Sequence, residues 1–310
     1  MISPAVSAIL AHYDGEVPGI RANLARILCH GRLGGTGRLV ILPLDQGVEH
    51  GPAQSFASNR AAYDPQYLFD LAISAGVSAL AAPYGLLAIG AARHAGAMPL
   101  ILKANNANNL GSGIDQAITA TPADALALGC CAIGYTIYPG ADSQYAMINA
   151  VGRGIAAARR LGLPSVVWAY PRGGPLSKAG QTALDVVAYG AQIAAQLGAH
   201  IIKVKLPADY VEHQDMRALY EAQAIDCTNP AERVSQVMSA AFDGKRIVVF
   251  SGGPAKSSEA VIEDVRAIRA GGGHGSIIGR NSFQRSRSEA LALLDAIMVH
   301  YGANETGAAG

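Results

Sequence analysis

After residue 37 the chain alternates short aliphatic runs with longer stretches in which apolar side chains recur every three to four positions. The short runs lie at 39–44, 77–82, 99–102, 130–137, 165–170, 200–205, 247–251 and 276–278, and they predict eight strands. The stretches between them predict helices. Several open with a capping residue before a proline at the first helical position, as in Asp64-Pro65, Thr121-Pro122 and Asn229-Pro230. Eight strand-then-helix units in about 270 residues fit a (β/α)8 TIM barrel, for which about 250 residues is typical. A doubly wound open sheet is the alternative, but no Gly-x-Gly-x-x-Gly follows the first strand. The expectation is one α/β barrel domain: an N-terminal helical extension over 1–37, the barrel over 38–302 and a loose tail over 303–310. One helix at 18–28 is expected to close the barrel bottom.

In such a barrel the chemistry sits at the C-terminal ends of the strands, so the polar residues that end the aliphatic runs form one list. Asp45 ends strand one, Lys103 strand three, Trp168 and Tyr170 strand five, Lys203 and Lys205 strand six, Ser251 strand seven, and Gly279 with Arg280 strand eight. Side chains two apart share a face. The alternates Val167, Ala169, Ile202 and Val204 are aliphatic and suit the outer helices, which turns the polar set inward.

Two lysines two residues apart on an interior face are unusual, because lysines are rarely buried without a reason. An ammonium in a low-dielectric barrel loses proton affinity, and a second one roughly 7 Å away adds about 2 kcal/mol of repulsion. A neutral amine is a nucleophile toward a ketone or aldehyde and forms a Schiff base; spacing alone equally allows a salt-bridged or phosphate-bound lysine. The glycines of Ser251-Gly-Gly253 and Gly279-Arg280 let backbone amides approach an anion, and the following helices add their positive ends. Loops seven and eight are the common phosphate site of these barrels.

Composition narrows the classes. Half of the 310 residues are hydrophobic and only 15% are charged, so the chain can bury a large core. A net charge of +1, from 24 basic and 23 acidic residues without a basic run, argues against nucleic acid and for a small-molecule ligand. No apolar stretch reaches the roughly 20 residues of a membrane span, and the N-terminus lacks the pattern of a signal peptide. Cys29, Cys130, Cys131 and Cys227 show no metal or disulfide spacing and read as reduced thiols of a cytoplasmic protein. Glu49 and His12, His30, His94, His213, His274 and His300 read as surface or core residues, and Tyr135 and Tyr138 as barrel packing. No metal site and no cofactor are expected.

Five motifs in order between about residues 38 and 285 carry a family resemblance. Pro43-Leu-Asp-Gln-Gly-Val-Glu-His-Gly-Pro52, Trp168-Ala-Tyr-Pro-Arg-Gly173, Gly198-Ala-His-Ile-Ile-Lys203, Ser251-Gly-Gly253 and Gly279-Arg-Asn281 resemble those of archaeal-type class I fructose-bisphosphate aldolases and their bacterial relatives. The resemblance implies that Lys203 forms the Schiff base, that Tyr170 is the acid and base, and that Asp45 assists at the carbonyl carbon. It also implies that Trp168 shapes the pocket and that Ser251, Gly252, Gly253, Gly279 and Arg280 hold one phosphate. Gln46, His50 and Arg172 then lie near the other end of a sugar phosphate substrate, in a ring-based homo-oligomer. Gln46 stands where many archaeal members have His, and His200 where Asp is usual; the latter is expected to affect packing.

Two alternatives remain at this stage. One keeps the fold and lysine on another sugar phosphate, as in amino-dideoxyheptulosonate synthases or the acetyl-transferring enzymes of quorum-signal breakdown. The other is a sugar-phosphate binding protein without catalysis. Only a bisphosphate substrate needs a second cationic cluster, for which His50, Lys103, Lys205 and Arg172 are the candidates.

Overall fold

The computed structural model describes residues 2–302; the tail expected at 303–310 lies outside them. Eight parallel strands close into a barrel: β1 (Leu39–Pro43), β2 (Ala79–Pro83), β3 (Leu100–Lys103), β4 (Ala132–Ile137), β5 (Ser165–Ala169), β6 (Ile201–Lys205), β7 (Ile247–Ser251) and β8 (Gly275–Ile277). Each pairs with its sequence neighbours, and β1 pairs with β8 to close the ring. All eight fall within the aliphatic runs or at their edges, as burial on two faces requires.

The capping signals act locally as their chemistry dictates. Asp64 and Asn229 each accept an N–H two residues on, at 2.9 Å, and Thr121 forms a capping box with Asp124. Among the described residues, no helix is long and apolar enough to cross a membrane.

The interior and exterior of the barrel separate by strand parity. Ile41, Ile101, Val166, Ile201 and Val249 belong to an inner cluster, whereas Leu42, Leu102, Val167, Ile202 and Phe250 pack in the outer layer under the helices. The inner cluster continues into two N-terminal helices, α1 (Pro4–Ala11) and α2 (Pro18–Leu28), through Val6, Leu10, Ile20 and Leu24. They cap the N-terminal end of the barrel and leave the other end open. The second helix was expected; the first was not, although Ser3 before Pro4 caps it by accepting the Val6 N–H at 3.2 Å.

Between α1 and α2, Tyr13 pins this plug to the barrel: its hydroxyl donates to the His200 carbonyl at 2.6 Å and accepts the Ile247 N–H at 3.1 Å. The α2 backbone meets the turn at Gly162 so closely that a Cβ on Gly19 would lie 2.9 Å from the Gly162 Cα. A second departure from the eight-unit pattern follows β3, where Asn105–Asn106 and Ala117–Ile118 form a small antiparallel pair beside the open end.

Candidate active site

The first polar wall rises from β1. The strand ends at Pro43, and Asp45 then starts a single helical turn, Gln46–Glu49. Asp45 occupies the N-cap position without using its carboxylate as a cap, which leaves the buried carboxylate for the cavity. Gln46 is buried with no hydrogen-bond partner for its Oε1. His50 follows, with a ring whose proton affinity is lowered by burial and by Arg280.

Opposite this wall stands Lys203, 4% exposed, in register with Trp168 on β5. Its Nζ lies 5.3 Å from the Trp168 ring centre and 5.5 Å from that of Tyr170. The indole fits because position 134 on β4 is glycine: a Cβ there would come within 2.3 Å of the ring. Lys205 pairs with Ser251 one step nearer the rim and is half-buried. Burial, and then Arg172, pull the Lys205 ammonium down to about 8.

The third wall is made by the loops after β7 and β8. Asn281 ties them together, donating to the carbonyls of Gly252 at 2.9 Å and Pro254 at 3.0 Å and accepting the Lys256 N–H at 2.9 Å. Gly253 has φ +69°, a conformation suited to glycine. At Gly279 a Cβ would lie 2.9 Å from both Gln46 Nε2 and the Pro43 carbonyl, so only glycine lets this loop approach the first wall. The helix after β7 has its own cap, Ser257 accepting the Ala260 N–H, so what this wall turns to the cavity is the glycine-rich loop backbone and Arg280.

These walls enclose one continuous cavity. Its inner part is lined by Asp45, Gln46, His50, Tyr170, Lys203, Ser251, Gly252, Gly253, Gly279 and Arg280. Its outer part shares His50, Tyr170 and Arg280 and adds Arg172 and Lys205. The Arg172 guanidinium stacks 4.2 Å from the Tyr138 ring, whose hydroxyl accepts from Gln116 at 2.6 Å.

Two of the expected site residues line neither part. Trp168 is 1% exposed and forms the wall behind Lys203. Lys103 is completely enclosed, its ammonium 5.7 Å from the same indole and donating to the Asn105 carbonyl and, at 3.2 Å, to Asn105 Oδ1. Asn105 is itself fixed by Thr136, accepting its N–H at 2.7 Å and donating to its carbonyl at 2.8 Å. An ammonium held this way lies behind the cavity wall. Burial lowers its proton affinity and the Glu49 carboxylate works in the opposite sense.

Conversely, the cavity lining includes residues that were not expected there, among them Glu49 and Lys256. Glu49, one turn beyond Asp45, lines both parts, and burial together with Asp45 pushes its carboxyl up to about 7. Lys256 lines the outer part and pairs with Asp264. The spacing of Asp45 and Glu49, four residues apart where a strand gives way to a helix, was the available signal for the former.

A closed eight-stranded barrel with an interior lysine in an open-end cavity, facing carboxylates and two glycine-rich loops, has the layout of a barrel aldolase. Residues 39–285 match the sequence pattern of the DeoC/LacD family aldolases, and the chain belongs to that family. It is 36% identical over 312 residues to a probable class 1 fructose-bisphosphate aldolase of Chlamydia trachomatis, covering 96% of this chain and 88% of the relative. It is 34% identical over 268 residues to the class 1 fructose-bisphosphate aldolase of Thermoproteus tenax, covering 86% and 91%. Among solved structures, an archaeal fructose 1,6-bisphosphate aldolase superposes with a TM-score of 0.75 at 33% identity, over 91% of this chain and 99% of that one. Another, with its catalytic lysine bound to the carbinolamine of its substrate, does so with 0.73 at 32% identity, over 89% and 99%.

Proposed function

We propose that this protein is a class I fructose-bisphosphate aldolase, cleaving fructose 1,6-bisphosphate reversibly to dihydroxyacetone phosphate and glyceraldehyde 3-phosphate. The observation that carries the reading is the position of Lys203: a buried amine beside Tyr170, in a cavity that also holds Asp45 and the Ser251-Gly-Gly253 and Gly279-Arg280 cradle.

The Lys203 amine adds to the C2 carbonyl, with Asp45 assisting at that carbon. The resulting hydroxyl leaves as water with a proton from Tyr170, giving a protonated imine and a Tyr170 phenolate. The phenolate takes the C4 hydroxyl proton. The C4 oxygen becomes the aldehyde, the C3–C4 bond breaks, and its electron pair passes to the imine to give an enamine. Tyr170 then returns the proton to C3, and hydrolysis frees dihydroxyacetone phosphate and the lysine. The imine does the work that a metal ion does in other aldolases. The loops after β7 and β8 hold one phosphate, and His50, Arg172 and Lys205 receive the other.

The reading carries with it a place in glycolysis or gluconeogenesis, a cytoplasmic location and a homo-oligomeric form; the free thiols of all four cysteines are compatible with that location. Comparing cleavage of fructose 1,6-bisphosphate with that of fructose 1-phosphate, with and without EDTA, tests it. Preference for the bisphosphate and full activity in EDTA are expected. Loss of turnover on chelation, restored by zinc, would overturn the imine mechanism.

A further inference from the structure

Glu49 has no task in the reaction above, yet it lines both the inner and the outer cavity. It ends the helical turn that Asp45 begins, so both carboxyls belong to one turn beside the cavity. The cations acting on it come from three other strands: Lys103 at the end of β3, Arg172 after β5 and Lys203 on β6. Tyr138, after β4, feels its charge in turn. His50 beside it, Tyr170 after β5 and Arg280 from the loop after β8 line both parts of the cavity with it, and Lys205 on β6 and Lys256 after β7, paired with Asp264, line the outer part.

An ionised Glu49 balances these cations while the site is empty. The inference rests on the preceding reading that the substrate carries two phosphates, which bring about three to four negative charges near neutral pH. A phosphate at Arg172, with His50 and Lys205 beside it, draws on one of the cations that favoured the ionised carboxyl and adds negative charge next to Glu49. Both changes favour the protonated form. Burial and Asp45 already place this carboxyl close to the balance point at neutral pH, so the shift costs little.

We propose that Glu49 is a specificity-determining residue whose carboxyl takes up a proton as the second phosphate enters. Doubly phosphorylated ligands then bind with proton uptake, and singly phosphorylated ones bind with much less. Affinity for a bisphosphate falls as the pH rises above neutrality, because the ionised carboxyl repels the incoming phosphate.

The test is titration calorimetry at pH 7 in two buffers of different ionisation enthalpy, using hexitol 1,6-bisphosphate and hexitol 1-phosphate, which lack the C2 carbonyl and form no imine. Wild-type protein should take up roughly half a proton per site with the bisphosphate, as expected for a carboxyl titrating near neutrality. Glu49→Gln should bind the bisphosphate with that uptake lost, and Glu49→Asp should retain it. His50 is the ionisable neighbour of Glu49 in the same turn, so His50→Gln is the control and should keep most of the uptake. Equal uptake in wild type and Glu49→Gln, or its loss in His50→Gln instead, overturns the assignment. If Glu49→Gln does not fold, the wild-type pH dependence decides: affinity should fall by up to tenfold per pH unit above pH 7, and a flat affinity from pH 6 to 8 overturns the inference. A bisphosphate that binds no more tightly than the monophosphate would instead overturn the bisphosphate reading itself.

Discussion

Lys203 stands opposite Trp168 across the ladder between β5 and β6, with its ammonium 5.3 Å from the centre of the indole. Lys103 faces the same ring at 5.7 Å, and Gly134 leaves the space in which the ring lies. The nucleophile proposed here is therefore held by packing that begins two strands away, whereas Lys205 stands at the rim opposite Ser251.

That difference separates the two lysines experimentally. Borohydride reduction in the presence of dihydroxyacetone phosphate should leave a covalent adduct on Lys203. Lys203→Ala should abolish adduct and activity together. Lys205→Ala should keep the adduct and bind the bisphosphate about tenfold or more weakly, the cost of one charge-assisted contact. An adduct mapped by peptide analysis to Lys205 would exchange the two roles.

Tyr170 offers a second separation, since its ring packs beside the Lys203 ammonium at 5.5 Å and its hydroxyl is the proposed proton carrier. Tyr170→Phe keeps the ring, so turnover should drop by about 10²-fold or more with little change in stability. Wild-type turnover in this variant would move the acid and base role to Asp45.

Arg280 opens the short helix after β8 and lines both parts of the cavity. Arg280→Ala should weaken substrate binding by about 1.5 to 3 kcal/mol while leaving the fold intact. An unchanged dissociation constant would show that these loops are not the anion site.

The barrel was legible because a strand covered on both faces reads as a nearly continuous aliphatic run, and eight such runs cannot easily be hidden. The inward set was legible for a related reason: alternation assigns Trp168 with Tyr170 and Lys203 with Lys205 to single faces before any neighbour is known. What escaped depends on relations between elements. The enclosure of Lys103 is decided by Asn105, Thr136 and Trp168, from three different segments. Glu49 faces the cavity because the chain turns helical at Asp45, where strand alternation no longer applies. The small pair at 105–106 and 117–118 is two residues long on each side and leaves no period to detect. His200, expected to matter only for packing, stacks on Tyr13 and also serves as a hydrogen-bond acceptor.

That acceptor role predicts an acid-sensitive barrel floor. His200 and His274 each precede a strand, and each turns Nδ1 to a backbone N–H of the neighbouring strand: Ser165 at 3.0 Å and Val248 at 3.2 Å. An imidazole nitrogen can accept only when it carries no proton. Burial lowers both rings from 6.5 to about 4; Glu16, 3.7 Å from His200, opposes the shift there, and Arg38 reinforces it at His274. Between these values the unfolded chain binds more protons than the folded one. The stabilisation is therefore complete above about pH 6.5 and is lost as the pH falls toward 4, by roughly 3 kcal/mol at most for each ring. The Glu16 carboxyl, held below its usual range, loses its own contribution only at lower pH. Denaturant unfolding between pH 4 and 7.5 should show stability falling with acid, and the double variant His200→Asn, His274→Asn should flatten that slope even if its stability at pH 7.5 is lower. An unchanged slope in the double variant would place the acid sensitivity in other groups.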